Sequence, residues 1–188
     1  SARCCLFAAF LFHHAGTADA CIWCIGFPEK TAADLLIESS FVALAREDPN
    51  EPFSLAPVQF LKGRNDGSEI GLFLDSVTRR ALATDTSRKV VIVRENERSP
   101  WRRLALASSQ YQAVVRRIVV FAPEWQAANG RLRRVEFFLQ LFGHQDPLIS
   151  ELAYLEMGRA PYDVIKRLSA FVAREQIQRI MNGPQYIQ

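Results

Sequence analysis

Residues 89–118, KVVIVRENERSPWRRLALASSQYQAVVRRI, carry two periodicities, and the fold class turns on where one replaces the other. Val90-Val91-Ile92-Val93 is a β-branched run that suits a pleated surface. Arg103-Leu104-Ala105-Leu106 reads as a further, weaker strand. From Ser108 the spacing becomes helical: Tyr111, Val114, Val115 and Ile118 share one face, Ser108 or Ser109 caps it, and Pro123 closes it. The chain therefore divides near residue 107 into a sheet-forming part and a helical part.

Towards the N-terminus the period of two dominates back to about residue 31. Thr31 caps a short helix through Leu36, with Asp34 as its capping-box partner. Phe41 to Ala45 is a strand ending in the turn Glu47-Asp48-Pro49-Asn50. Phe53 to Leu61 is another, and Pro57 places part of it at an edge or a bulge. Ile70, Leu72 and Leu74 alternate as a third, which makes five strands with Val90–Val93 and Arg103–Leu106. Five short strands with one helix predict a small barrel or an α+β sheet.

Towards the C-terminus, Leu132, Val135, Phe138, Leu139 and Phe142 mark a helix ended by Gly143. Asp146-Pro147 opens a third, lined by Ile149, Leu152, Ala153 and Met157 and stopped by Gly158. A fourth starts near Pro161 with Val164, Ile165, Leu168, Phe171 and Val172 inward, and the spacing of Ile177 and Ile180 continues it. Amphipathic helices of about 12 residues with short breaks suit a helical hairpin stack. Charge follows the same division. Residues 21–100 hold ten basic and twelve acidic side chains, and residues 101–188 hold twelve and seven, so −2 and +5.

The first residues read as a secretory signal peptide. Arg3 precedes the apolar run Cys4–Phe12, and Ala18-Asp19-Ala20 supplies an A-x-A cleavage site. The run is shorter than the roughly 20 apolar residues a bilayer span needs. Cleavage after Ala20 gives a mature chain that begins at Cys21, has no transmembrane span and lies in the periplasm or outside the cell. It also removes Cys4, Cys5, His13 and His14, leaving Cys21, Cys24 and His144.

Cys21-Ile22-Trp23-Cys24, the short helix, the strand at Phe41, Val58-Gln59-Phe60-Leu61-Lys62-Gly63 and Trp101 together resemble exported bacterial proteins with a netrin-like domain. That resemblance implies a five-stranded OB-type β-barrel over residues 21–107, of the kind found in tissue inhibitors of metalloproteinases. The helices beyond, with Leu139, His144, Asp146, Ala153 and Pro161, resemble HEAT-type repeats over 108–188. The two together imply an α+β protein of barrel plus HEAT-like stack whose business is protein binding. In the inhibitors a mature N-terminal cysteine chelates the protease zinc. Cys21 takes that place here, but in C-x-x-C spacing where inhibitors have C-x-C.

Few residues are left for chemistry. Cys21 and Cys24 form a disulfide, a redox pair or a metal contact, the last with His144 as the third available ligand; a structural zinc site needs four. His144 alone would have to serve any Ser-His-Asp arrangement, and no G-x-S-x-G elbow supplies a nucleophile. Glu47-Asp48, Glu95/Glu97 and Glu151/Glu156 are carboxylate pairs of surface type. The nine glycines are dispersed, so no phosphate loop forms and no cofactor is implied. Arginine outnumbers lysine nineteen to four, with Arg116, Arg117, Arg133 and Arg134 as candidates for partner contacts. The net-negative N-terminal part argues against nucleic acid. The sequence thus predicts an exported, non-catalytic interaction protein, with thiol–disulfide or metal-contact function through Cys21 and Cys24 as its alternative.

Overall fold

A computed structural model describes residues 28–128 and 130–169. The expected signal peptide, Cys21, Cys24 and the expected helical continuation from Phe171 to Ile180 lie outside the described residues.

Helix α1 (Ala32–Glu38) starts at Thr31, whose hydroxyl accepts from Asp34 N–H while the Asp34 carboxylate accepts from Thr31 N–H, a complete capping box. Strands β1 (Phe41–Glu47) and β2 (Leu55–Lys62) follow, then α2 (Ser76–Thr84), β3 (Lys89–Arg94) and β4 (Arg102–Ala107). The four strands form one antiparallel sheet in the order β2-β1-β3-β4. Pro57 falls on an edge strand, beside a register irregularity opposite Leu44 and Ala45, where its missing N–H breaks no central ladder.

The five-stranded barrel is therefore not formed; the sheet is open and four-stranded. The run Ile70–Leu74 supplies no strand. Gly67 and Gly71 take positive φ (74° and 61°), which breaks the extended conformation, and only Phe73 makes a bridge, to Ser54. Ile70 and Leu74 are buried all the same, so their alternation records a loop pinned onto the sheet and not a ladder. Among the described residues no strand then joins β2 to β4. The missed element is α2, capped by Asp75, whose side chain accepts from Thr78 N–H. Its far end is held by Arg46 of β1, which donates to the carbonyls of Leu82, Thr86 and Arg88 at 2.5–2.9 Å.

Both faces of the central strands are covered, which explains their nearly unbroken apolar sequence. Val42, Leu44, Val91 and Val93 face the long helix α3 (Ser109–Gln126) and α1. Ala43, Ala45, Val90 and Ile92 face Leu82 of α2, the pinned loop and Trp101. Helices α4 (Gly130–Leu139) and α5 (Pro147–Gly158) extend the first of these cores, so one cluster runs from Ala33 through the sheet to Leu152. Helix α6 (Tyr162–Ser169) packs on α4 through Val164, Leu168 and Val135. The helical segment thus closes over one sheet face as well as stacking on itself.

Two helix ends differ from expectation. Pro123 lies inside α3, which continues to Gln126 because Trp125 is buried against Phe137 and Phe138 of α4. The second helix ends at Leu139, four residues before Gly143, which takes φ 72° in the turn. Asp146 caps α5 as expected, accepting from Leu148 and Ile149 N–H with Pro147 in the first turn. Among the described residues no helix is long and apolar enough to cross a membrane.

Candidate interaction surface

The surface feature that sets this molecule apart lies where β2 begins and α2 starts. Phe53 adopts φ 66°, the left-handed region that a phenylalanine rarely enters and that Gly or Asn would occupy with less strain. Its backbone is fixed from both sides. Phe53 N–H donates to Glu47 Oε1 at 3.2 Å, and Leu74 N–H donates to the Phe53 carbonyl at 2.7 Å. The result is a Phe53 ring stacked on Phe73, with centroids 6.0 Å apart and planes 9° from parallel. Arg79 of α2 lies over the Phe53 ring at 4.6 Å while its Nε pairs with Glu47 at 2.6 Å. The hydrogen bond from Arg79 lowers the Glu47 pKa, so the carboxylate stays charged and holds Arg79 in place.

Phe73 and Val77 are 74% and 79% exposed, so this platform presents apolar area to solvent rather than completing the core. The α2 cap beside it is polar and closed. Arg103 of β4 donates to Asp75 and to the Thr78 hydroxyl, both at 2.7 Å. Hydrogen bonds from Thr78, and then from Arg103, hold Asp75 well below the usual carboxylate range. The platform offers aromatic faces and a guanidinium.

The other candidate residues are committed elsewhere. His144 sits in the turn before α5, and its Nδ1 accepts from Asp146 N–H at 2.9 Å. The Asp146 carboxylate accepts directly from the Ser108 hydroxyl, which in turn accepts from Tyr111 N–H. Ser, Asp and His are close, but His144 faces backbone and not Ser108, so a proton relay of the protease type is not assembled. The cluster joins the caps of α3 and α5. Substituting His144 by Ala is expected to cost about 1 kcal/mol in urea denaturation, since it loses one part-buried hydrogen bond in the turn.

Of the four arginines, Arg116 donates to Gln59 at 2.9 Å, tying α3 to β2. Arg117 stacks on Phe137 at 4.7 Å, and Arg133 lies 3.7 Å from Glu124 at the surface. Arg134 is half-buried, its side chain 24% exposed, and paired. Its Nε donates to Glu156 at 2.7 Å and its Nη2 to Asp34 and Glu156 at 2.6 and 2.8 Å, with Arg159 completing the set on Asp34. Glu156, read as a surface carboxylate, is 8% exposed. Its position was legible: Ile149, Leu152, Ala153 and Glu156 fall on one helical face, which makes Glu156 part of the inward stripe. Glu95, Glu97 and Glu151 are exposed, and Glu47 and Asp48 are half-buried.

Among the described residues no group of three or more His, Cys, Asp or Glu is placed to hold a metal ion. Cys21 and Cys24, the other members of the proposed metal set with His144, lie outside the described residues. Fold and surface define an α+β protein built on an open antiparallel sheet, with an exposed aromatic platform. No protein-family model, curated protein or solved structure matches the chain.

Proposed function

We propose that this chain is an exported, non-catalytic protein-interaction module that binds its partner through the Phe53–Phe73–Val77 platform. The observation that carries this reading is the strained Phe53. A left-handed phenylalanine costs on the order of 1–3 kcal/mol, and the surrounding hydrogen bonds maintain it where a smaller residue would be more stable. What the strain achieves is an aromatic ring held flat against a second exposed ring. Covering Phe73 and Val77 would contribute roughly 1.5–3 kcal/mol for each side chain fully buried. Arg79 adds a cation already oriented by Glu47, and preorganised aromatic and arginine side chains dominate the energy of protein interfaces. Export rests on Arg3, the Cys4–Phe12 run and Ala18-Asp19-Ala20; the intact mass of the protein recovered from its native compartment checks it.

The double substitution Phe73→Ser/Val77→Ser tests the platform. Both side chains are largely in solvent, so thermal stability should stay within about 0.5 kcal/mol of the parent. Chemical cross-linking in the native extracytoplasmic fraction should yield a discrete protein adduct with the parent chain and lose it with the variant. An adduct of equal yield from both proteins would sink the assignment.

A further inference from the structure

Arg94 ends β3 and is only 3% exposed, an unusual burial for a charged residue. Its guanidinium lies 4.2 Å from the Phe41 ring centroid and 5.0 Å from that of Trp101. Its counter-charge comes from outside the core. In the exposed stretch 64–69, Asp66 accepts from Nη2 and the Ser68 hydroxyl accepts from Nη1 at 2.7 Å. Two donors here find no acceptor among the described residues: Arg94 Nε and the Trp101 indole Nε1, both on side chains more than nine-tenths buried. A buried donor without a partner is costly, and most such groups in native proteins are satisfied by protein, water or ligand.

A guanidinium presents two edges to a planar carboxylate, the Nη1–Nη2 end and the Nε–Nη2 side. The end is occupied by the clip of Asp66 and Ser68, and the side is half used. The tip of the clip is open and its base is packed: Gly63 and Gly67 both take φ 74°, a side-chain carbon at Gly67 would meet nothing within 4 Å, and one at Gly63 would lie 2.5 Å from the Phe41 ring. Residues 64–69 are exposed, with local hydrogen bonds from Gly67 N–H to Asn65 and from Ser68 N–H to Asp66.

We propose that Arg94, floored by Phe41 and Trp101, is a binding site for a carboxylate ligand, and that Asp66 is its displaceable internal occupant. A monoanion suits the site because it balances the single charge of Arg94; a phosphate dianion would leave an excess charge between two aromatic rings. The ligand's carboxylate takes Nε and Nη2 side-on and releases Asp66 to solvent. The site uses none of Phe53, Phe73 or Val77, so it stands or falls separately from the interaction surface.

The test is a titration of the full chain with sodium acetate at constant ionic strength, with inorganic phosphate as control. The readout is the Trp101 indole N–H resonance, assigned as the one lost in Trp101→Phe. Acetate should shift that resonance, and Asp66→Asn, which removes the competing charge, should bind acetate about tenfold more tightly than the parent. Phosphate should leave the resonance in place. The peptide acetyl-Asp-Gly-Ser-amide forms a second arm: tighter binding than acetate assigns the ligand to peptide carboxylates, and equal binding assigns it to small acids. Equal acetate affinity in parent and variant, no shift in either, or an equal response to phosphate overturns the proposal. Should Asp66→Asn lose its folded circular dichroism, Ser68→Ala replaces it. It loosens the clip without removing the charge, and no gain in acetate affinity there overturns the proposal equally.

Discussion

Replacing Arg134 by alanine lowers the stability of the fold by about 3–5 kcal/mol, the scale for removing one partner from a buried ion pair. Among the described residues Arg134 is the one cation bonded to both Asp34 of α1 and Glu156 of α5, and it reaches them from α4 with three hydrogen bonds of 2.6–2.8 Å. Thr31 also donates its hydroxyl to Glu156, so the helix cap of α1 is built into the same cluster. Without Arg134, Glu156 stays buried and among the described residues keeps the Thr31 hydroxyl, while Asp34 keeps Arg159 and the Thr31 N–H. Urea denaturation should show a lower midpoint with little change in slope, the mark of altered stability in an otherwise similar fold. Lysine should recover little, because a point charge cannot serve Asp34 and both Glu156 oxygens through a planar fork.

The same cluster sets a pH dependence. Burial works against ionisation of Asp34, but hydrogen bonds from Thr31 N–H, Arg134 and Arg159 outweigh it and hold the carboxyl at about 2, against an ordinary value of 3.8. A depressed carboxyl stabilises the fold fully above its unfolded pKa and stops doing so as pH falls through its folded one. The window is therefore pH 4 down to pH 2, with a loss on the order of 1–2 kcal/mol. The stability lost between pH 5 and pH 2.5 should be greater in the parent than in Arg134→Ala, where Asp34 keeps only the Thr31 N–H and Arg159 to hold its carboxyl down. An identical pH profile for both proteins would place the acid sensitivity elsewhere.

How much of this was legible in the sequence depends on the range of the interaction. Local chemistry read correctly: the Thr31–Asp34 capping box, the Asp146-Pro147 helix start and the Val90–Val93 strand each depend on neighbours a few residues away. The barrel fails at Ile70–Leu74 because period-two burial does not by itself imply strand pairing. Pairing also needs an extended backbone, which Gly67 and Gly71 deny. Helix α2 was missed because its inward face is narrow: Thr78 and Leu82 are its buried residues, and Arg79 and Arg80 mask the pattern. The platform was illegible for another reason. Its defining facts, the left-handed Phe53 and the 9° stacking on Phe73, join segments 20 residues apart and leave no periodic trace. Arg134 shows the same limit, since a basic pair at 133–134 does not reveal which member meets Asp34, 100 residues away.

Trp125→Ala is expected to cost about 3–5 kcal/mol, the range for deleting a buried tryptophan from a packed core. Trp125 is 7% exposed and has ring centroids of Phe121, Phe137 and Phe138 within 5.9, 5.1 and 5.8 Å. Its position also explains why α3 runs past Pro123. A proline inside a helix costs roughly 3 kcal/mol or more through a lost hydrogen bond and ring clash, so the turn beyond it needs a reason to stay helical. That reason is the tryptophan, seated in the cluster that joins α3 to α4. The connection is close: a side-chain carbon at Gly130 would lie 2.3 Å from the carbonyl oxygens of both Glu124 and Trp125, so only glycine fits beneath the end of α3. Two losses should therefore accompany Trp125→Ala. The global midpoint in urea falls, and amide hydrogens from Ala122 to Gln126 exchange faster than global unfolding requires, because the last turn then opens on its own. Replacing Pro123 by Ala in that background separates the effects. If the proline alone weakens the turn, the double variant regains both midpoint and protection; if the tryptophan anchors it, protection stays lost while the midpoint rises.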